Sequence, residues 1–431
     1  MHPDGRRQKR SSFVNRLSHR GKEYFYQGEK LYGKKQNRYN AVNARKKLLF
    51  QKVMVINMDI KPQSKVFTEI NIVNLKYNYL AIRDYVNPKS EVMCVVKADG
   101  YGHGATVCAK ECVKLGATHF GVSSLAEAHE IRCALGDNVE ILILGYTPPE
   151  ETEHLIRENI IQTVFSLEYA KKLSLAAKGV GTVRAHVKLD TGMNRIGFPC
   201  SECGLEEVLE AKKLDGINYE GFFTHFATAD EQDETFTRLQ YEKYIKARDY
   251  LKEKGMTFKL HHCCNSAATL SFPEMHLDMV RCGIILYGLS PSKNVKNINL
   301  KPVMEFKSVI AHIHTVKAGE SISYGATYTA SKDIKVATVP AGYADGIPRA
   351  CSNKACLFVN GKEAKILGNV CMDQCMIDIS GIDANVGDDV IIFGESCPDN
   401  IESIAKSAST INYELICDVS KRVPRFYLSD K

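Results

Sequence analysis

Val-Val-Lys-Ala-Asp-Gly-Tyr-Gly-His-Gly, residues 95–104, decides how this chain reads. The apolar run Val92 to Val96 predicts a strand that delivers Lys97 to its carboxyl end. A glycine-rich turn carrying Tyr101 follows, and a helical segment begins at Ala105. A lysine held at a strand's end among desolvating neighbours is suited to a Schiff base with an aldehyde cofactor. Taken alone it is only suggestive, because most buried lysines are structural or snorkel.

Working outward from it, short β-branched runs alternate with helical segments. The pattern predicts strands over 91–98, 119–124, 139–146, 161–166, 184–190, 219–226, 259–265 and 279–288. Most are continuously apolar, as parallel strands covered on both faces should be. Helical spacing runs through 105–115, 125–135, 167–178 and 236–254, with Ser124 and Ser166 at N-cap positions. Eight such units predict an α/β fold, a (β/α)8 TIM barrel, with a doubly wound sheet as the rival topology. After Leu289-Ser290-Pro291-Ser292 the texture changes to strands punctuated by Gly and Asn turns, with 401–407 the one helical stretch. A mostly-β C-terminal domain over 303–431 is expected, and the barrel over 59–302.

The net charge of +7 on 431 residues is unevenly spread. Residues 1–58 hold 15 Lys/Arg against 3 Asp/Glu, leaving 42 basic and 47 acidic residues in the remainder. The globular part therefore has no global electrostatic footprint for nucleic acid. The basic segment reads as a disordered leader, with Met54 and Met58 as alternative starts; a binding arm or a targeting peptide are the other readings. No apolar run spans a membrane. The 15 cysteines lie mostly inside apolar runs, as small buried hydrophobes do in a reducing compartment, which predicts a cytoplasmic protein. Cys200-x-x-Cys203 and His261-His262-Cys263-Cys264 lack a matching second pair at zinc spacing, so no metal is expected.

Active sites of barrels lie at the carboxyl ends of the strands. Those ends hold Lys97, then Lys188 to Gly197 with Arg195, then Thr224-His225, Asn265-Ser266 and Arg281 with Gly283-Ile284. The set combines amines, arginines, an imidazole and a serine beside small residues. It has no carboxylate pair for glycosidic chemistry and no Walker loop. Ser266 and the turn at Gly283-Ile284 sit after strands seven and eight, where barrels often bind phosphate. An amine beside a phosphate cradle suggests pyridoxal phosphate.

The 95–104 stretch resembles the cofactor-lysine motif of the alanine racemase family. Further likenesses fall at 190–197, 223–230, 265–270, 323–330, 342–346, 368–374 and 411–414, so the resemblance covers roughly 60–431. It implies an isomerase that interconverts L- and D-alanine on pyridoxal 5'-phosphate, supplying D-alanine for peptidoglycan. Lys97 would carry the cofactor and move the α-proton on one face. Tyr324, in Ser323-Tyr324-Gly325-Ala326, resembles the opposite-face base, supplied in this family by the second subunit of a homodimer. Tyr101, Ser266, Gly283, Ile284 and Tyr413 resemble phosphate ligands. Arg281 would face the pyridine nitrogen, and His225 would hydrogen-bond Arg281 and influence Tyr324. Arg195 would lie near the cofactor phenolic oxygen and the substrate carboxylate. Met372 of the partner resembles a backbone contact to that carboxylate. Lys188 matches a lysine often carbamylated in the family, where it positions Arg195.

Two bases on opposite sides of a planar intermediate are what racemisation needs. A tyrosine costs about 4 kcal/mol to ionise at pH 7, so nearby cations must offset that cost. Gly100 stands where the family often has alanine, and Cys282 where a larger apolar residue is expected; neither removes a functional group. Tyr328, Tyr343 and Tyr413 are expected to crowd the substrate side chain and favour a methyl group. A serine or broader amino-acid racemase is the alternative. A non-catalytic cofactor carrier would lack the β domain, and a decarboxylase would lack the Tyr324 and Arg281 pattern.

Overall fold

The computed structural model describes residues 64–397 and 399–429. The basic leader, 1–58, lies outside the described residues. The eight expected barrel strands are β2 (Glu91–Val95), β3 (His119–Val122), β4 (Glu140–Ile143), β5 (Ile161–Val164), β6 (Val183–Asp190), β8 (Ile217–Phe223), β9 (Leu260–His262) and β10 (Met279–Cys282). They run parallel in the order β10-β2-β3-β4-β5-β6-β8-β9, with the short β7 (Phe198–Pro199) attached to β6. The remaining seam is closed by Asp278 N–H to His261 O at 3.0 Å and Arg281 N–H to Cys264 O at 3.1 Å. Every residue of β5 and β10 is buried, because side chains fill the barrel on one face and pack under helices on the other. Side-chain caps start the helices as the spacing requires: Ser124 Oγ accepts from Glu127 N–H, and Ser166 Oγ from Tyr169 N–H.

Among the described residues the second sheet has nine strands. Most come from the C-terminal part: β11 (Met304–Val309), β12 (His312–Val316), β15 (Ile334–Val339), β16 (Cys356–Val359), β17 (Lys362–Leu367), β18 (Cys375–Asp378), β19 (Asp389–Phe393) and β20 (Arg425–Leu428). The ninth is β1 (Val66–Asn71), which pairs antiparallel with β11 and parallel with β20. Thus a segment inside the 59–302 range expected of the barrel belongs to the β domain instead. Its Val66, Phe67, Thr68 and Ile70 are buried, and Phe67 meets Phe426 of β20 edge-on at 5.9 Å. A two-stranded hairpin, β13 (Ser321–Ile322) and β14 (Tyr328–Thr329), stands beside it. Among the described residues the C-terminal region has two α-helices, not one: Asn400–Ala408 and Asn412–Asp418. The second, seven residues long with no side-chain cap, is too short to show helical spacing in sequence. Barrel and β domain belong to one compact unit.

Gly104 shows how tightly the two are joined. Its φ is +92°, and a Cβ there would lie 2.0 Å from the Tyr427 hydroxyl of β20. Gly104→Ala should therefore lower the thermal midpoint strongly, by a loss of about 3 kcal/mol or more. Tyr427→Phe should recover part of it by removing the clashing oxygen. Equal melting of Gly104→Ala and the parent chain would refute the packing argument.

Candidate active site

The turn after β2 runs left-handed. Ala98, Asp99 and Gly100 have φ/ψ of 52/48°, 54/47° and 63/43°, and Tyr101 follows at φ 52°. Each non-glycine residue costs about 1–2 kcal/mol in this region, so the surroundings must over-determine it. Gly100 N–H donates to Val96 O at 2.8 Å, and Gly104 N–H to Asp99 O at 2.9 Å. The fully buried His103 donates from Nδ1 to Gly100 O and Tyr101 O at 3.0 and 2.9 Å, and stacks on Tyr287 at 4.4 Å. Glu127 accepts from Ala98 N–H at 2.8 Å and from Ser123 N–H and Oγ–H at 2.8 Å. The turn places Lys97 and Tyr101 on one wall of a cavity of about 940 Å³.

That cavity lies at the carboxyl ends of the barrel strands. It gathers nine residues expected from sequence: Lys97, Tyr101, Lys188, Arg195, His225, Ser266, Arg281, Gly283 and Tyr413. Ile284, the next residue after Gly283, is fully buried behind the wall. Tyr413 arrives on the short helix Asn412–Asp418, its ring 6.3 Å from Tyr101. At one corner Gly283 N–H donates to Ser266 Oγ at 2.9 Å. A Cβ on Gly283 would fall 2.5 Å from the Tyr101 hydroxyl. A backbone N–H and two hydroxyls thus converge where only glycine leaves room, which is the donor set a phosphate monoester takes.

Lys97, Lys188, Arg195 and Arg281 make the cavity strongly cationic. Burial lowers the Lys97 amine from its usual range, and Arg195 lowers it further. Lys188 is 4% exposed and is pushed down to about 7, first by burial and then by Arg281 and Arg195. Its Nζ sits 5.2 Å over the Phe223 ring with no hydrogen-bond partner among the described residues.

Arg281 is anchored on four groups. It donates to Thr224 O at 2.8 Å, Cys263 O at 3.0 Å, His262 Nδ1 at 2.9 Å and His225 Nδ1 at 3.1 Å. Since a guanidinium only donates, both imidazoles must accept at Nδ1 and carry hydrogen on Nε2. His262 then donates from Nε2 to His186 Nδ1 at 3.0 Å. Burial first and Arg281 next hold His225 and His262 well below the usual imidazole range, so both stay neutral. The His-His-Cys-Cys segment spends its donors here and on Met275 O, to which Cys263 and Cys264 donate. His186 and Glu127 are neighbours of the site that the sequence did not single out, and His262 stood out in it only as part of the His-His-Cys-Cys segment. Glu127 carried a signal, the Ser124-x-x-Glu127 capping spacing.

Tyr324 and Met372 are not in this cavity. Both are exposed on the β domain, at 73% and 54%. Tyr324 opens the turn Tyr324–Ala326, where its carbonyl accepts from Asn369 Nδ2 at 2.6 Å. Met372 lies on the following loop, beside Tyr343: Tyr343 N–H donates to Cys371 O and Ala344 N–H to Met372 O, each at 3.0 Å. Tyr328 instead packs on a small core under the hairpin.

A barrel with an amine and a phosphate-type cradle at its strand ends, joined to a β domain, defines a class of lysine-centred barrel enzymes. The alanine racemase N-terminal domain family matches residues 70–291, and the C-terminal domain family matches 303–427. The chain belongs to the alanine racemase family. It is 46% identical to the alanine racemase of Desulforamulus reducens over 84% of this chain and 99% of that one. It is 42% identical to that of Methanococcus maripaludis, over 84% and 98%. Among solved structures it resembles the alanine racemase of Clostridium difficile 630, with TM-score 0.80, 42% identity and 85% and 97% coverage. The Bacillus anthracis alanine racemase with bound L-Ala-P gives TM-score 0.80 at 33% identity, covering 86% and 97%.

Proposed function

We propose that the chain interconverts L- and D-alanine on pyridoxal 5'-phosphate, as a cytoplasmic homodimer that supplies D-alanine for peptidoglycan. The observation that carries this reading is Lys97 facing a cationic cavity with a phosphate-type cradle at its corner. The cofactor fits that donor set: Tyr101, Ser266, Gly283 and the Ile284 backbone would hold its phosphate, and Lys97 its aldehyde carbon. When bound, pyridoxal phosphate draws electrons from the substrate's Cα–H bond, so the proton can leave.

The protein's own groups do the rest. Lys97 takes or returns the α-proton on one face, and the partner subunit's Tyr324 does so on the other. Arg281 is gripped by two carbonyls and two neutral imidazoles; it would face the pyridine nitrogen and keep its own proton there. Arg195 and the Met372 backbone N–H of the partner hold the substrate carboxylate. Tyr413, which lines the cavity, would crowd the substrate side chain and favour a methyl group. Among the described residues, no helix is long and apolar enough to cross a membrane.

Purified holoenzyme given L-alanine should form D-alanine, read by a D-amino-acid oxidase. No D-alanine from cofactor-loaded protein would sink the proposal, and faster turnover of L-serine would move it to the serine alternative.

A neutral amine is the form that adds carbon dioxide, and Lys188 at about 7 is largely neutral at pH 8. Arg195 and Arg281 would stabilise the resulting carbamate. In 13C-bicarbonate, NMR should show one carbamate resonance that Lys188→Gln lacks. Protonation of the amine competes with carbamylation, so the resonance should fade as pH drops below about 7. A resonance retained in Lys188→Gln would remove Lys188 from the role.

A further inference from the structure

One ion-pair bridge lies outside the cavity and ties down the loop that carries Met372. Asp345 is wholly buried, and its Oδ2 accepts from Gly342 N–H at 2.9 Å. Arg422 donates from Nε to Asp345 Oδ1 at 2.8 Å and from Nη2 to Asp373 Oδ1 at 2.7 Å. The guanidinium fork therefore spans two loops, and Asp373 is the residue after Met372. The same loops are stitched by Tyr343 N–H to Cys371 O and Ala344 N–H to Met372 O. These bonds use the Met372 carbonyl and leave its N–H without a partner among the described residues.

Arg422 belongs to a strap, residues 419–425, which reaches the other way as well. Ser420 N–H donates to Asp345 O at 3.1 Å. Arg425 grips the strap through Val419 O, Ser420 O and Val423 O, and donates from Nε to Gly102 O at 3.1 Å. Gly102 closes the left-handed turn that holds Lys97. One end of the strap thus fixes the chain's own cofactor turn. The other fixes the loop the chain offers to its partner.

We propose that Arg422 is a positioning residue for substrate binding: it holds the Met372 loop in register for the carboxylate bound in the partner subunit's site. This rests on the shared-site reading above. Losing one prong frees the loop by the small displacement that positioned binding does not tolerate. The effect falls on KM, because the lysine, the tyrosine and the cofactor cradle stay in place.

Mixed dimers separate the possibilities. In a dimer of Lys97→Ala with Tyr324→Phe, one site keeps both bases, so activity should return although neither parent has any. With Lys97→Ala/Arg422→Met paired to the unmodified chain, the live site uses the altered loop, and KM for alanine should rise about tenfold. With Lys97→Ala paired to Arg422→Met, the live site uses an intact loop, so KM should match a dimer of Lys97→Ala with the unmodified chain. Arg422→Met leaves a buried carboxylate unpaired; Asp373→Asn, which keeps the Asp345 pair, should give the same pattern if that chain folds poorly. Arg422→Lys should recover only part of the effect, since one ammonium cannot hold both carboxylates as a fork. No recovery in the first pairing overturns the shared site and this role with it. Recovery with equal KM in the two Arg422 pairings, or with a fall in kcat alone, overturns the role of Arg422 only.

Discussion

Lys97→Ala should abolish racemisation, with kcat/KM lower by roughly 10⁴-fold or more in the D-alanine assay. The size follows from two losses at once. In the proposed mechanism the variant would have no amine to tether the cofactor and no base on that face of the substrate. Burial and Arg195 hold the wild-type amine below its usual range, which raises the share of free amine at neutral pH. The absorbance of the lysine-bound cofactor should vanish with the activity. Lys97 is only half-buried and starts the turn without filling the core, so the variant should stay folded. Activity above about 1% of wild type would mean that another group serves that face.

That lysine was legible because chemistry and fold coincide in one stretch: apolar strand, charged end, glycines. The other strand ends were legible for the same reason, since a parallel barrel converts short apolar runs into a ring of termini at one face. Where reading failed, the determinant was distant or short. The Val66–Asn71 strand has a recognisable composition, but its partners begin at Met304 and Arg425, and nothing local says which sheet it joins. Helix Asn412–Asp418 offers too few turns for a pattern, yet it carries Tyr413 to the cavity. The His261–Cys264 segment gave no metal spacing, and nothing local showed that the Nδ1 of His262 is taken by Arg281, from the next strand. Arg422 carried no motif at all. Its meaning lies in two aspartates 77 and 49 residues earlier.

Tyr324→Phe should also lose racemisation, by about 10³-fold, yet by a different route. In one chain the tyrosine is 73% exposed, and its hydroxyl makes no hydrogen bond among the described residues. Its removal therefore disturbs nothing within the folded chain, and the thermal midpoint should stay within about 2 °C. Lys97, Arg281 and the Ser266–Gly283 cradle are untouched, so the bound-cofactor absorbance should persist. Deuterium exchange at the α-carbon, followed separately from L- and D-alanine, supplies the decisive split. Exchange should continue with the enantiomer whose proton Lys97 reaches and stop with the other. An equal loss from both enantiomers would mean the phenol acts on binding or on Arg281, not on the proton. Unchanged exchange from both would leave the exposed tyrosine without a part in catalysis. The one-sided loss is the outcome a two-base site requires, because the two protons lie on opposite faces of one carbon and a single amine cannot reach both.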